Sequence, residues 1–210
     1  MPAFDAYIRD PAEIYRRSFA IVRAETDLAG LPSDMARVAE RLVHACGMPD
    51  IVADLAYSPN AAAAGRAALA AGAPVLADCR MVAAGIDPAR LPAGGRVRCL
   101  LDHPKVGRRA AEEKTTRSAA AVGLARSHLG GAVVAIGNAP TALFRLLELL
   151  AGGAPRPAVI LAFPVGFVGA AESKEALIAA DLGVPYLTLR GRRGGSALAV
   201  AAVNALVQEP

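Results

Sequence analysis

Short apolar runs alternate with alanine-rich runs of helical pattern along most of the chain, and this alternation limits the fold more than any other feature. Runs with the length and composition of strands occupy residues 74–78, 97–101, 132–137, 158–163 and 185–190. They are mainly apolar and show no regular alternation with polar residues, which indicates strands that are buried on both faces. The alternation predicts a three-layer α/β fold, with a parallel sheet of about five strands and helices on both faces.

Helical spacing of apolar residues separates these strands. Helices are predicted near residues 60–71, 114–128, 141–150, 170–182 and 196–207. Residues 11–47 also have a helical pattern, interrupted at 31–34, so an N-terminal segment of two helices should precede the sheet. A length of 210 residues suits one domain, and we expect residues 1–210 to form a single domain.

Composition excludes several classes of protein. Hydrophobic residues make up 54% of the chain, but no run reaches the roughly 18 uninterrupted apolar residues of a membrane span. The first residues lack a basic segment followed by an apolar one, so we expect a cytoplasmic protein without a membrane partner. The three cysteines lie far apart, which argues against a zinc cluster or a disulfide framework.

The charge balance favours an acidic ligand. The net charge is +4, which is compatible with nucleic acid or with a polyanionic small molecule. Aromatic residues make up only 4% of the chain and no block of Lys and Arg is present, so nucleic acid is the weaker interpretation.

A glycine-containing segment at residues 163–177 marks a candidate site. An apolar run ends at Pro164, and two spaced glycines then precede a helical pattern. In open α/β sheets, ligands bind beyond the carboxyl ends of the strands, where such junctions lie. Loops of this kind need glycine in any case, so each one alone is weak support. Neither residues 166–169 nor residues 191–196 match G-x-G-x-x-G, which argues against a nucleotide-dependent enzyme.

The histidines leave alternatives open. His44 lies in a predicted helix, opposite the apolar stripe and on the same side as Arg41. It is either part of a solvated polar face, which the residues alone favour, or a proton donor with Arg41 one turn away to bind an anion. His103 precedes Pro104 at a strand end, where it either closes a turn, the preferred interpretation, or takes part in proton transfer.

Five motifs in order resemble the precorrin-8X methylmutase family of vitamin B12 biosynthesis. They are Met-Val-x-x-Gly-Ile at 81–86, Thr-Arg-Ser-Ala-Ala-Ala at 116–121, Ile-Gly-Asn-Ala-Pro-Thr-Ala-Leu at 136–143, Pro-Val-Gly-Phe-Val-Gly-Ala-Ala-Glu-Ser-Lys at 164–174 and Gly-Arg-Arg-Gly-Gly-Ser-Ala at 191–197. The resemblance extends over essentially the whole chain. It implies a flavodoxin-like fold, a homodimer, and an isomerase that needs no metal and no organic cofactor.

The resemblance also implies a reaction and a set of site residues. The reaction moves a methyl group of a corrin precursor from C11 to C12 and gives hydrogenobyrinate. The family's catalytic histidine motif is matched by Arg-Leu-Val-His-Ala-Cys-Gly at 41–47, so His44 is the implied proton donor. The residues expected to bind the polycarboxylate macrocycle are Ser18, Arg41, Arg117, Ser118, Asn138, Thr141, Gly194, Gly195 and Ser196.

Two alternatives to this interpretation of the function remain open. The first is a cobalt-precorrin-8 methylmutase, because the reaction is the same and requires no cobalt-ligand motif. The second is a non-catalytic carrier of corrinoids or other tetrapyrroles.

Overall fold

Six short strands form the central sheet in a computed structural model that describes residues 7–207. Their order across the sheet is β1-β6-β5-β4-β2-β3. Strands β2 to β6 are parallel, whereas β1 pairs antiparallel with β6, Leu55 lying opposite Leu189. The strands are β1 (Leu55–Tyr57), β2 (Val75–Ala77), β3 (Val97–Cys99), β4 (Val133–Ile136), β5 (Val159–Ala162) and β6 (Tyr186–Leu189).

Helices cover both faces of this sheet. The helices are α1 (Pro11–Glu25), α2 (Ser33–Cys46), α3 (Ala61–Ala70), α4 (Arg80–Gly85), α5 (Val106–Glu112), α6 (Arg117–Leu124), α7 (Pro140–Ala151), α8 (Ala170–Ala179) and α9 (Ser196–Val207). Side chains of α1 to α4 and α9 share one apolar core, and those of α5 to α8 share another. The three-layer α/β fold with a parallel sheet is therefore confirmed.

Successive residues of the central strands supply the two cores in turn. In β4, Val133 and Ala135 belong to the core on the α9 side, whereas Val134 and Ile136 belong to the core on the α7 side. Adjacent side chains of a strand point to opposite faces, so a strand covered on both faces must be apolar at every position. This explains why the strands β4 and β5 are uninterrupted apolar runs in the sequence.

Some boundaries differ from the predictions. The predicted helix over residues 114–128 begins only at Arg117, because Thr116 caps it, its Oγ1 accepting the Ala119 N–H at 3.1 Å. That helix ends at Leu124, and a separate 3₁₀ turn covers Arg126–His128. The short helices α4 and α5 and the strand β1 were not predicted, since segments of three to seven residues carry little periodicity.

The two predicted N-terminal helices form a hairpin that packs on α9 through α2. The apolar stripe of α2 is fully buried, as Met35, Val38 and Leu42 show. Gly47, with φ of 69°, ends the helix in the left-handed region that favours glycine. His44 lies in the last turn of α2 and is exposed. Between residues 7 and 207, none of the helices has the length and hydropathy needed to span a bilayer.

Candidate functional site

The predicted site residues fall into two groups on different elements. Ser18, Arg41 and His44 lie on the N-terminal hairpin of α1 and α2. The second group lies at the carboxyl edge of the sheet, where the parallel strands end. It consists of Arg117, Ser118, Asn138, Thr141, Gly194, Gly195 and Ser196.

His44 is held by two neighbours from α1. The Ser18 hydroxyl oxygen lies 2.9 Å from Nδ1 of His44. The ring of Phe19 stacks on the imidazole, with centroids 4.7 Å apart and an interplanar angle of 20°. Both contacts orient the imidazole, and the Ser18 hydroxyl engages Nδ1, not Nε2. Ser18, His44, Gly47 and other residues line a small cavity of about 170 Å³.

Arg41 lies over the same aromatic residues. Its guanidinium carbon is 4.5 Å from the centroid of Phe19 and 5.2 Å from that of Tyr15, distances typical of cation–π contacts. These three side chains belong to a cleft of about 610 Å³ with several further charged residues. Arginine binds carboxylates in a fixed fork geometry, so the cleft suits a ligand with several carboxylates. Its other charged lining residues are Arg16, Arg23, Arg37 and Glu40.

Sequence reasoning missed the aromatic part of this cleft. Tyr15 and Phe19 lie one turn apart on α1, with ring centroids 4.6 Å from each other. Their spacing of four residues was the available signal, because positions i and i+4 share a helix face. The same spacing also occurs in ordinary core packing, so it did not distinguish a site.

At the sheet edge, a hydroxyl contact joins the beginnings of α6 and α7. Thr116 Oγ1 and Thr141 Oγ1 lie 2.7 Å apart. Arg117 is exposed and Ser118 is half-buried in the first turn of α6, and both follow directly on Thr116, which contacts Thr141. The structure thus brings three of the predicted binding residues together at one end of two helices.

A buried carboxylate fixes the loop between β4 and α7. Asp78 follows β2 and is only 1% exposed. Its two oxygens accept the backbone N–H groups of Gly137, Asn138 and Ala139 at 2.9, 3.0 and 2.9 Å. Burial raises the pKa of Asp78, while these three N–H donors oppose that rise. Asp78 therefore holds the exposed residue Asn138 in place and binds free N–H groups at the start of α7.

Asp78 is the last residue of the predicted strand 74–78, and the sequence analysis gave it no role. The available signal was an acidic residue directly after a fully apolar strand. A carboxylate in that position is buried with the strand and needs partners.

The glycine loop at residues 191–196 docks against the end of β5. A Cβ atom on Gly194 would lie 2.5 Å from the carbonyl oxygens of Phe163 and Pro164, so any side chain there would displace the loop. Gly195, with φ of 125°, donates its N–H to the Phe163 carbonyl at 2.8 Å. Ser196 begins α9, and the predicted contribution of these three residues to substrate binding stays a prediction.

A buried lysine supports the same loop from α8. Lys174 is fully buried, and its ammonium group donates to the Arg193 carbonyl oxygen at 2.7 Å. Burial lowers the pKa of Lys174 from its usual value near 10.5 to about 8. The folded protein therefore begins to release this proton at a lower pH than the unfolded chain does.

This shift predicts a pH-dependent difference from a Lys174→Met protein. Between the two pKa values the unfolded chain binds more protons than the folded protein, so the free energy of unfolding rises with pH. Relative to Lys174→Met, the protein without substitutions should gain about 1.5 kcal/mol between pH 8 and about pH 9.5. Urea unfolding of both proteins across this range measures the gain. A difference that stays constant or falls would show that the proton is not released early.

The other two histidines lie near β3 and α6. His103 Nδ1 accepts the Lys105 backbone N–H at 3.2 Å, which closes the turn after the strand. His128 is exposed, with Nδ1 3.3 Å from the Ser127 hydroxyl. This contact of His103 agrees with the interpretation that His103 closes a turn. The same geometry gives no support to a role of His103 in proton transfer.

Fold and site together define a three-layer α/β protein with a histidine beside a basic, aromatic-lined cleft, an arrangement suited to proton transfer on a polyanionic ligand. Residues 13–209 match the family model described as precorrin-8X methylmutase. The chain belongs to the precorrin-8X methylmutase family, isomerases of cobalamin biosynthesis.

Individual relatives agree with this assignment over nearly their whole length. A precorrin-8X methylmutase of Pseudomonas aeruginosa is 63% identical over 203 residues, covering 97% of this chain and 98% of the relative. One from a Sinorhizobium species is 55% identical and covers 99% of each chain. A cobalt-precorrin-8 methylmutase of Priestia megaterium is 35% identical, covering 93% of this chain and 87% of the relative.

A solved structure shows the same fold. The precorrin-8X methylmutase of Thermus thermophilus is 42% identical and superposes with a TM-score of 0.83. The superposition covers 92% of this chain and 95% of that one.

Proposed function

We propose that the protein converts metal-free precorrin-8X into hydrogenobyrinate by moving a methyl group from C11 to C12. Family membership supports the reaction type. Sequence identity supports the metal-free substrate. Two relatives named for precorrin-8X are 63% and 55% identical to this chain, whereas a relative named for the cobalt-containing substrate is 35% identical.

The oriented imidazole of His44 is the observation that carries the proposed mechanism. As an imidazolium, His44 donates its Nδ1 proton in a hydrogen bond to the Ser18 hydroxyl and has its Nε2 proton available for the macrocycle. After proton transfer the hydroxyl of Ser18 can keep the same contact, since it both donates and accepts. The pair therefore holds the ring in one orientation throughout the cycle.

The reaction balances without a co-reactant. The bond between C11 and the methyl carbon breaks as the bond between C12 and that carbon forms, so substrate and product are isomers. A proton that His44 gives to the macrocycle is matched by one that the macrocycle releases. The migration creates no large local charge, so the protein contributes through protonation and through tighter binding of the rearranging macrocycle.

The peripheral carboxylates of the substrate would be held at both groups of site residues. Arg41 in the hairpin cleft and Arg117 at the sheet edge supply guanidinium groups. Ser118, Asn138 and Thr141 supply hydroxyl and amide donors near Arg117. A broad macrocycle with several carboxylates can reach separate donors of this kind.

Incubation with each purified corrinoid tests the proposal. With precorrin-8X, the visible absorption spectrum should change to that of the rearranged product, and kcat/KM should exceed that for cobalt-precorrin-8 by at least about tenfold. A faster reaction with the cobalt compound would overturn the choice of substrate. An unchanged spectrum in spite of confirmed binding would favour a carrier.

We also propose that the protein is a homodimer in which a second copy covers the apolar loop between β5 and α8. Phe167 and Val168 in this loop are 85% and 88% exposed, and Val165 is also exposed. Contiguous apolar side chains in water commonly mark an interface. The expected mass by light scattering is twice the 21.4 kDa of one chain.

A Val168→Asp substitution should weaken this dimer by at least about tenfold, because it would bury an unpaired charge at the interface. Sedimentation over a range of concentrations measures the change. Glu172→Gln, an exposed change in the first turn of α8, serves as the control that should leave the mass unchanged. If the protein without any substitution is a monomer, the proposal of a homodimer is contradicted.

A further inference from the structure

One arginine of the glycine loop connects that loop to the segment that follows α2. The guanidinium group of Arg193 donates to Asp50 through Nη1 and to Asp54 through Nη2, both at 2.5 Å. Both aspartates belong to the 3₁₀ segment Pro49–Asp54. The Arg193 carbonyl oxygen accepts from Lys174, so the backbone of the residue is fixed independently of its side chain.

We infer that Arg193 is a positioning residue that sets the distance between the glycine loop and the end of α2 that carries His44. The contacts of the Arg193 guanidinium with Asp50 and Asp54 form a bridge between two segments. On one side of the bridge, Gly194, Gly195 and Ser196 follow Arg193 directly. On the other side, Pro49 lines the cavity of His44 and immediately precedes Asp50. The inference rests on the proposed function, since it concerns the spacing between the proton donor and the loop predicted to bind the substrate.

The backbone hydrogen bonds between β1 and β6 do not reach as far as Asp50. The pairing of β1 with β6 continues to the Arg190 N–H, which donates to the Asp54 carbonyl at 2.8 Å. Asp50 lies four residues nearer to α2, and the Arg193 side chain supplies the contact that reaches it. The guanidinium group is suited to this bridge because its planar fork bonds two acceptors at once, which a single ammonium group does less well.

The bridge contributes little to folding, which separates a positioning role from a structural one. The side chains of Arg193, Asp50 and Asp54 are 37%, 71% and 40% exposed, so water and salt screen their attraction. The loop also keeps its bonds to Lys174 and Phe163 when the guanidinium is removed. Loss of the bridge should therefore change the geometry of the site and leave the thermal midpoint within about 3 °C.

Kinetics of an Arg193→Gln protein test the inference, with Arg190→Gln as the matched control. Arg190 belongs to the same connection, is exposed, and pairs with Glu175 instead. We expect Arg193→Gln to lower kcat by about 10- to 100-fold with KM changed less than about threefold, since small displacements of reacting groups slow reactions strongly. Arg190→Gln should leave both constants unchanged. Equal kcat values for the two variants, or a rise in KM alone, would overturn the inference.

A double-mutant cycle identifies the partner. Asp50→Asn should lower kcat in the same direction, and the protein with both changes should be no slower than Arg193→Gln alone, because both remove the contact that reaches toward α2. Additive losses would show independent roles and contradict the inference.

Amide hydrogen exchange tests the bridge without any turnover. In Arg193→Gln the N–H groups of the 3₁₀ segment Pro49–Asp54, which loses its side-chain contacts with the loop, should exchange at least about tenfold faster, and in Arg190→Gln they should not. Unchanged exchange in Arg193→Gln would overturn the inference. If the protein without substitutions fails to convert precorrin-8X, the proposed function fails, while the exchange result still decides whether Arg193 holds the segment Pro49–Asp54 against the glycine loop.

Discussion

A His44→Ala protein is expected to isomerise precorrin-8X about 10²- to 10⁴-fold more slowly than the unchanged protein, the range that a positioned acid or base commonly contributes. The reason is the loss of the one imidazole that Ser18 and Phe19 orient beside the basic cleft. The rate is measured from absorption spectra of the product after the reaction has been stopped at a series of times. Substrate binding should be retained, because the arginines that line the cleft are unchanged.

A Ser18→Ala protein is the graded control for this prediction. It keeps the imidazole and its stacking on Phe19 but removes the hydroxyl at Nδ1, so a smaller loss of about tenfold is expected, the size of one hydrogen bond. If His44→Ala isomerises the substrate at the normal rate, the acid role of His44 is wrong. A carrier would bind precorrin-8X without converting it in any of these proteins.

An Asp78→Ala protein is expected to lose about 3 kcal/mol or more of its free energy of unfolding, because each buried donor left without an acceptor costs about 1–3 kcal/mol. Three backbone N–H groups, at Gly137, Asn138 and Ala139, would lose their partner together. The loop that carries Asn138 should loosen as well, so activity should fall in the molecules that remain folded. Urea unfolding followed by circular dichroism measures the loss.

Asp87→Ala is the matched control for that experiment. Asp87 also accepts a backbone N–H, that of Ala89 at 2.9 Å, but it is exposed and caps only a short 3₁₀ turn. Its removal should cost no more than about 1 kcal/mol, because water can replace the lost acceptor. Equal losses for Asp78→Ala and Asp87→Ala would refute the role given to the buried carboxylate.

The centre of the sheet was predictable because the strands β4 and β5 are buried on both faces. Residues 132–137 and 158–163 are uninterrupted apolar runs, and the structure places β4 and β5 inside them. The strand β1 has three half-buried residues, Leu55, Ala56 and Tyr57, with no pattern to separate them from a loop. Its antiparallel pairing joins Leu55 to Leu189, 134 positions away in the sequence, which is a tertiary property.

The candidate site was predictable only in part. The helical period placed His44 opposite the buried stripe of α2, and the structure agrees. The contact of His44 with Ser18 depends on how α1 packs on α2, and the bridge from Arg193 to Asp50 joins residues 143 positions apart. Such contacts leave no local pattern, since their partners are chosen by the packing of distant elements.

The packing of α2 on α9 and the pairing of β1 with β6 have a consequence for synthesis of the protein. Both contacts join early parts of the chain to parts translated much later. The hairpin that carries His44 cannot bury its apolar stripe until α9 has left the ribosome, and non-local contacts of this kind form slowly. Met35, Val38 and Leu42 are buried in the folded protein, so we expect these side chains to be open to water during that interval. We therefore expect the helix with the proposed proton donor to be among the last parts to assemble, and its apolar side chains to be open to chaperones and proteases until then.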